Sequence, residues 1–105
     1  MFWQGLISMF SIEFTEQAKQ DLKWFRKAEQ KIILSGIYEN LSYEPSLATR
    51  NRKPLRPNST AIWELRIGEF RVLYNVDKDI QIVSIERIGE KSGNKLLFQG
   101  KEISL

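Results

Sequence analysis

Residues 62–76 read IWELRIGEFRVLYNV, and this stretch decides the fold. Apolar residues mostly alternate with polar or charged ones from 63 to 67 and again from 70 to 76. This is the period of a strand that buries one face only. Gly68–Glu69 lies between the two runs and has the length of a tight turn. We therefore predict an antiparallel β-hairpin that carries Arg66 and Arg71. Arg71 lies on the same side of its strand as Leu73 and Asn75, but the sequence does not fix its register against Arg66 or Arg87.

Upstream of the hairpin, the pattern predicts one strand and two helices. Residues 10–14 (FSIEF) alternate like a half-buried strand, and Thr15 follows as a helix N-cap. Apolar residues at helical spacing predict a first helix over about 16–25 and a second over about 28–41. Pro45 marks the end of the second helix, because the residue before a proline is pushed out of the helical region.

Downstream of the hairpin, residues 80–88 (IQIVSIERI) alternate as a third consecutive strand after a turn at 77–79. Residues 46–60 are expected to be a loop, and the tail after residue 89 has weak periodicity. The predicted order is therefore β-α-α-β-β-β, an α+β fold. Its antiparallel sheet is covered on one face by the two-helix hairpin, and we expect the opposite face to be free.

Composition limits the chemistry. The 105 residues have the length of one ordinary domain, which we place at residues 9–105. The chain contains no cysteine and no histidine, which excludes disulfide frameworks, thiolate zinc sites, catalytic triads and histidine-based nucleases. We expect no metal and no cofactor, and the absence of cysteine fits a cytoplasmic location.

The N-terminal segment, residues 1–8, reads MFWQGLIS and is treated as an extension. It is too short for a membrane span, which needs roughly 20 apolar residues. One interpretation is that translation begins at Met9, so that the native protein lacks residues 1–8. The other is that residues 1–8 form a short strand or a partner-binding arm. No membrane association is expected.

Basic residues are concentrated in one part of the chain. The formal net charge is only +3, but Glu64 and Glu69 are the only acidic residues between positions 50 and 71. The basic residues of that stretch are Arg50, Arg52, Lys53, Arg56, Arg66 and Arg71. A local basic cluster indicates a surface that meets a polyanion, although a solvated loop is the alternative interpretation.

Three stretches of this sequence resemble the RelE/ParE superfamily, the toxins of bacterial type II toxin–antitoxin systems. They are RNRKPL (50–55), WELRIGEFRVLY (63–74) and VSIERIGEK (83–91), set in the predicted β-α-α-β-β-β order. The resemblance implies a cognate antitoxin as partner. It also implies one of two activities. RelE-like members cleave mRNA on the ribosome without a metal, whereas ParE-like members inhibit DNA gyrase without hydrolysis. A catalytically decayed toxin is a third possibility.

The resemblance also implies roles for individual residues. Arg71 matches the hairpin arginine that stabilises the phosphate, and an arginine fork suits that task. Lys91 stands where relatives often carry arginine, and Arg66 matches a further basic position; these three are the predicted catalytic residues. The predicted RNA contacts are Arg50, Arg52, Lys53, Arg56, Arg87 and Phe98.

The sequence departs from the nuclease pattern at the groups that move protons. Ile62 and Glu64 stand where RelE-like nucleases place lysines, and Leu97, with Phe98 beside it, stands where they place a tyrosine. Phe98 is able to stack on a base but cannot transfer a proton. The sequence thus preserves the phosphate-binding part of the implied site better than its acid–base part.

Overall fold

The computed structural model describes residues 9–103 and residue 105. Within these residues the chain forms two helices and seven strands, and the predicted extension at residues 1–8 lies outside them. In chain order the elements are β1 (Ser11–Phe14), α1 (Glu16–Trp24), α2 (Lys27–Leu41), β2 (Arg52–Pro54), β3 (Trp63–Ile67), β4 (Phe70–Asp77), β5 (Ile82–Ser92), β6 (Lys95–Phe98) and β7 (Lys101–Glu102).

The predicted hairpin is β3 and β4, with Leu65 opposite Val72 and Arg66 opposite Arg71. Its turn depends on Gly68, whose φ of +58° lies in the left-handed region that favours glycine. The sheet has the order β2-β3-β4-β5-β6-β7, and these neighbours are antiparallel. The predicted α+β fold is thus confirmed.

The prediction of a wholly antiparallel sheet needs one correction, because β1 pairs with β5 in parallel. Two helices and three strands separate β1 from β5 in the chain. β1 pairs with residues 82–85 of β5, while β6 pairs with residues 90–92 of the same strand. β1 and β6 therefore share one edge of β5, end to end.

Both predicted helices form and cover one face of the sheet. The hydroxyl of Thr15 accepts a hydrogen bond from the Ala18 amide, the N-cap expected for α1. α2 begins after Arg26, whose amide donates to the Glu29 carboxylate. This hydrogen bond is the main reason that the pKa of Glu29 lies below its usual range. The core between helices and sheet contains Ala18, Phe25, Ile33, Ile37, Leu41, Leu65, Val72, Tyr74, Val83, Ile85 and Ile88.

Tyr74 fixes the loop that follows α2 to this core. Its hydroxyl donates to the Pro45 carbonyl oxygen at 2.7 Å, and the side chain is fully buried. Burial raises the pKa of Tyr74 well above its usual range, although the Arg52 charge acts in the opposite direction. The phenol is therefore neutral and acts only as a hydrogen-bond donor.

The opposite face of the sheet is not entirely free, contrary to expectation. A second apolar cluster on Leu73 contains Ala61 and Phe98, with Leu55 and Leu96 packed against it. The hairpin of β6 and β7 supplies part of this cover. The sequence shows these strands poorly because they are only four and two residues long, and β2, in the predicted loop, only three. No helix among the described residues is long and apolar enough to cross a membrane.

Candidate functional site: a basic concavity on the sheet

The face of the sheet away from the helices carries a concavity of about 150 Å³, which we call the basic concavity. Five strands, β2 to β6, and the turn between β5 and β6 contribute to its wall. Its charged side chains are Lys53, Glu64, Arg66, Arg71, Lys91 and Lys95. Five positive groups thus surround one carboxylate, which makes the concavity suited to an anion.

Strand pairing explains why these residues meet. Arg66 of β3 lies opposite Arg71 of β4, and Lys53 of β2 lies opposite Glu64 of β3. Since residues directly opposite each other point to the same face, each pair adds charge to one side of the sheet. The Lys91 amide donates to the Glu69 carbonyl oxygen at 2.8 Å, which brings Lys91 to the β3–β4 turn.

Arg71 is held by one side of its guanidinium. Its Nη1 donates to the carbonyl oxygens of Gly68 at 2.7 Å and Phe70 at 2.9 Å. The side chain is only 7% exposed. Among the described residues, its Nε and Nη2 have no hydrogen-bond partner. Every buried side-chain nitrogen or oxygen in that part of the chain has a partner, so these two atoms are not buried. The Nε–Nη2 edge therefore opens into the concavity, where it has the geometry for a bidentate contact with a phosphate.

Glu64 is the acidic group of the basic concavity and is also 7% exposed. Its Oε1 lies 3.4 Å from Arg66 Nε and 3.8 Å from Lys53 Nζ. These contacts orient both cations around one oxygen. The carboxylate offsets part of the positive charge in the concavity without closing it.

The structure brings together all three residues predicted as catalytic, Arg66, Arg71 and Lys91, and adds Lys53 from the predicted RNA contacts. It also adds Asn94 and Lys95, which the sequence reasoning did not single out. The signal for these two is Gly93, whose φ of +62° makes the turn between β5 and β6.

Two other predicted RNA contacts, Arg50 and Arg56, lie exposed in the segments that flank β2. Arg56 lines a neighbouring surface depression that shares Asn94 and Leu96 with the basic concavity. Both arginines therefore remain candidates for contacts beside the concavity.

The structure gives Arg52, also predicted as an RNA contact, a structural role. Its Nε donates to the Leu47 carbonyl oxygen at 3.1 Å, and its Nη1 donates to the carbonyl oxygens of Asn40 and Tyr43. Carbonyl groups at the end of a helix have no partner within the helix, and Arg52 supplies one for the end of α2. We therefore leave Arg52 out of the proposed contact surface.

Arg87 and Phe98 belong to a second group of side chains, which we call the Asp21 cluster (Asp21, Arg87, Phe98 and Gln99). Arg87 donates to both carboxylate oxygens of Asp21, at 2.7 and 3.1 Å. Its guanidinium also lies 4.4 Å from the centroid of the Phe98 ring. Phe98 is 1% exposed, so neither of its ring faces is open to a base. The predicted RNA contacts of Arg87 and Phe98 are corrected accordingly.

Asp21 was not found by sequence reasoning, because its partners are far away in the chain. The carboxylate is fully buried in α1 and also accepts from the Ile88 amide at 2.9 Å and the Gln99 side chain at 2.7 Å. It thus occupies the part of the β5 edge between the stretches that pair with β1 and β6. Among the described residues, no three acidic side chains come together as metal ligands.

Comparison with known proteins points to toxins of toxin–antitoxin systems. The family model of the ParE toxin of type II toxin–antitoxin systems (parDE) matches residues 12–94. Toxin RelG of Mycobacterium tuberculosis is 28% identical over 83 residues, which are 79% of this chain and 92% of that protein.

Solved structures with the same fold include two toxin–antitoxin complexes. One is the RelBE2 complex of Mycobacterium tuberculosis, with a TM-score of 0.70 and 27% identity, covering 80% of this chain and 93% of the matched chain. The other is the archaeal RelE–RelB complex of Pyrococcus horikoshii, with a TM-score of 0.64 and 20% identity, covering 81% and 98%. The second likeness concerns the fold alone.

Proposed function

The chain belongs to the ParE toxin family of type II toxin–antitoxin systems, and from this premise we propose that it cleaves messenger RNA on the ribosome at its basic concavity. The resemblance to RelE/ParE toxins in the sequence is confirmed by the family match and the similar proteins. The observation that supports cleavage is the meeting of Arg66, Arg71 and Lys91 around one small concavity.

The proposed reaction is attack of a ribose 2′-oxygen on the adjacent phosphorus. Negative charge then grows on the non-bridging phosphate oxygens, and preorganised donors aimed at that charge lower the barrier. The free Nε–Nη2 edge of Arg71 would receive two of these oxygens. Lys91 and Arg66 would flank the phosphate with further positive charge. Because the Arg71 guanidinium is already held by Gly68 and Phe70, little ordering is needed when RNA binds.

Other basic residues would position the RNA without reaching the scissile phosphate. Lys53 and Lys95 lie on the wall of the basic concavity, and Arg50 and Arg56 lie exposed nearby in sequence. Contacts of this kind go to the phosphate backbone and supply affinity that falls with salt. We propose that they dock the toxin onto the ribosome and the flanking mRNA.

The proposed partners are a cognate antitoxin and the ribosome, in the cytoplasm. The similar structure from Mycobacterium tuberculosis is a toxin–antitoxin complex. A toxin whose site consists mainly of unpaired cations offers an acidic antitoxin segment an electrostatic target.

The test is primer extension on cellular mRNA after induction of the wild type and of Arg71→Ala. We expect new 5′ ends with the wild type, and a loss of about 10²–10³-fold in cleavage rate with Arg71→Ala, the size seen when one charge-stabilising donor is removed. Arg71→Lys keeps the charge without the fork and should lie between them. Lys78→Ala removes an exposed charge at the far end of β4 and should cleave normally. Growth arrest with intact transcripts would contradict the proposal.

Inhibition of DNA gyrase is the second candidate function. The matched family model is that of ParE toxins, and Ile62 and Glu64 occupy the positions where RelE-like nucleases place lysines. Ile62 is 63% exposed, a surface more suited to a protein partner than to a phosphate. A supercoiling assay with purified gyrase distinguishes the two functions, because stoichiometric toxin should inhibit only under this second candidate.

A further inference from the structure

Among the described residues that line the basic concavity, Glu64 is the only one whose side chain ordinarily acts as a proton acceptor. Guanidinium and ammonium groups are hydrogen-bond donors without an acceptor, and the Asn94 amide is not a base. The chain has no histidine and no cysteine. Cleavage by a 2′-hydroxyl needs an acceptor for the hydroxyl proton, so the composition of the wall narrows the choice to Glu64.

The tyrosines do not offer an alternative. Tyr74 faces the helix-covered core and donates to Pro45, and its pKa is raised by burial. Tyr38 belongs to α2 and Tyr43 to the segment after it. The chain contains no other tyrosine.

The two oxygens of the Glu64 carboxylate are in different situations. Both close cations, Arg66 and Lys53, approach Oε1. Oε2 has no hydrogen-bond partner among the described residues. Every buried side-chain oxygen in that part of the chain has a partner, so Oε2 is not buried. Oε2 is thus accessible from the concavity, while Oε1 holds the carboxylate in place.

We propose that Glu64 is the general base of the cleavage reaction, an inference that rests on the proposed function. Oε2 takes the proton from the 2′-hydroxyl as the 2′-oxygen bonds to phosphorus. The bond from phosphorus to the 5′-oxygen breaks, and that oxygen takes a proton from the Lys91 ammonium of the same wall. The products are a 2′,3′-cyclic phosphate and a free 5′-hydroxyl. Proton exchange with water restores both side chains.

If Glu64 is the general base, removing its charge should affect RNA binding and the rate of cleavage in opposite directions. Glu64 is a negative charge inside an anion-binding site, so it opposes phosphate binding. Replacing it by glutamine should strengthen RNA binding and still slow cleavage. A role limited to holding Lys53 and Arg66 in place predicts instead that glutamine weakens binding and cleavage together.

The experiment compares wild type, Glu64→Gln and the matched control Glu69→Gln, a neutralised carboxylate in the exposed β3–β4 turn. Purified toxins are assayed on mRNA-programmed ribosomes under single-turnover conditions. Binding is measured on mRNA carrying a 2′-methoxy group at the cleavage site, which cannot react. Thermal unfolding of each variant checks that the fold is retained.

We expect Glu64→Gln to cleave about 10²–10⁴-fold more slowly, the usual contribution of a general base, while binding about threefold more tightly. Glu69→Gln should cleave like the wild type. A substrate whose 5′-oxygen is replaced by sulfur, a leaving group that needs no proton, should not rescue Glu64→Gln. Rescue by that substrate would overturn the assignment, because Glu64 would then act as the acid.

Three further results would overturn the inference. Cleavage by Glu64→Gln within about threefold of wild type would show that no proton passes through residue 64, with the proposed function intact. Weaker binding together with slower cleavage would assign Glu64 a purely supporting role. Failure of the wild type itself to cleave would remove the proposed function, and the inference with it.

Discussion

Arg71 in the basic concavity and Arg87 in the Asp21 cluster lie on neighbouring strands but have opposite surroundings. Arg87 presents its Nε and Nη2 to the two oxygens of Asp21. Arg71 has the same Nε–Nη2 edge without a partner among the described residues, because its two hydrogen bonds both come from Nη1. One arginine is therefore saturated, and the other is fixed in place with a free edge.

The contrast distinguishes a charge that is neutralised within the fold from a charge that stays available to a ligand. A partly buried cation is stable when a carboxylate satisfies it, and Asp21 does so for Arg87. Arg71 is tied instead to two neutral carbonyl groups, which orient the guanidinium and leave its charge uncompensated. The one carboxylate in the basic concavity, Glu64, contacts Arg66 and Lys53 rather than Arg71. Free charge therefore remains where a phosphate would be needed.

The largest expected effect comes from breaking the saturated pair. Asp21→Ala leaves Arg87 and the Ile88 amide without their acceptor, and removal of one partner of a buried ion pair costs about 3–5 kcal/mol. We expect this loss in the free energy of unfolding, measured by urea denaturation. Arg71→Ala, which the proposed function predicts to be inactive, serves as the background for the measurement. Taken alone, it should cost about 1–2 kcal/mol, since it removes hydrogen bonds to two neutral carbonyl groups and leaves no buried charge behind.

A substitution that neutralises an exposed glutamate provides the control for this comparison. Glu16→Gln removes an exposed carboxylate that pairs with Lys19 on the same helix, and should change stability by less than about 0.5 kcal/mol. If Asp21→Ala and Glu16→Gln had equal effects, the distinction between saturated and free charge would have no energetic basis.

The sequence predicted the basic concavity better than the Asp21 cluster, for a physical reason. The family resemblance singled out Arg66, Arg71 and Lys91, and the first two lie on one local hairpin, where the structure pairs them. The contact of Arg87 with Asp21 spans 66 residues of sequence, so periodicity in β5 indicates the face of Arg87 but not its partner. The same limit applies to Phe98, whose burial depends on a short hairpin folding back over Gly89.

The remaining misses have similar causes. β2 is three residues long and ends at Pro54, which makes it indistinguishable from a loop by pattern. The parallel pairing of β1 with β5 joins strands that two helices and three strands separate in the chain, and alternation in β1 says nothing about direction. The number and type of the major elements could be predicted, whereas the short strands and the parallel pair could not.

A smaller effect tests the boundary between the two regions, at Gly89. Gly89 lies opposite Arg71, and a Cβ there would lie 2.7 Å from the Phe98 ring that supports Arg87 and would also meet the Leu97 carbonyl. Gly89→Ala should therefore cost about 1–3 kcal/mol of unfolding free energy, as overpacking does. Phe98→Leu should partly relieve the clash, so the double variant should be more stable than the sum of the two single losses predicts. Strict additivity in denaturation would place the strain elsewhere.

The smallest expected effect concerns Tyr74, a buried polar group that is satisfied without any charge. Burial raises its pKa in the folded state, whereas the unfolded phenol ionises near its usual value of about 10. The folded state thus holds the proton more tightly, so the stability gained from Tyr74 is complete below about pH 10 and is lost as the pH rises above that value.

Tyr74→Phe should cost about 1 kcal/mol at neutral pH, through loss of the hydrogen bond to Pro45. It should also flatten the alkaline decline in urea midpoint, which the exposed Tyr43→Phe should leave unchanged. An equally steep decline in Tyr74→Phe would contradict the assignment of the alkaline loss to the buried phenol.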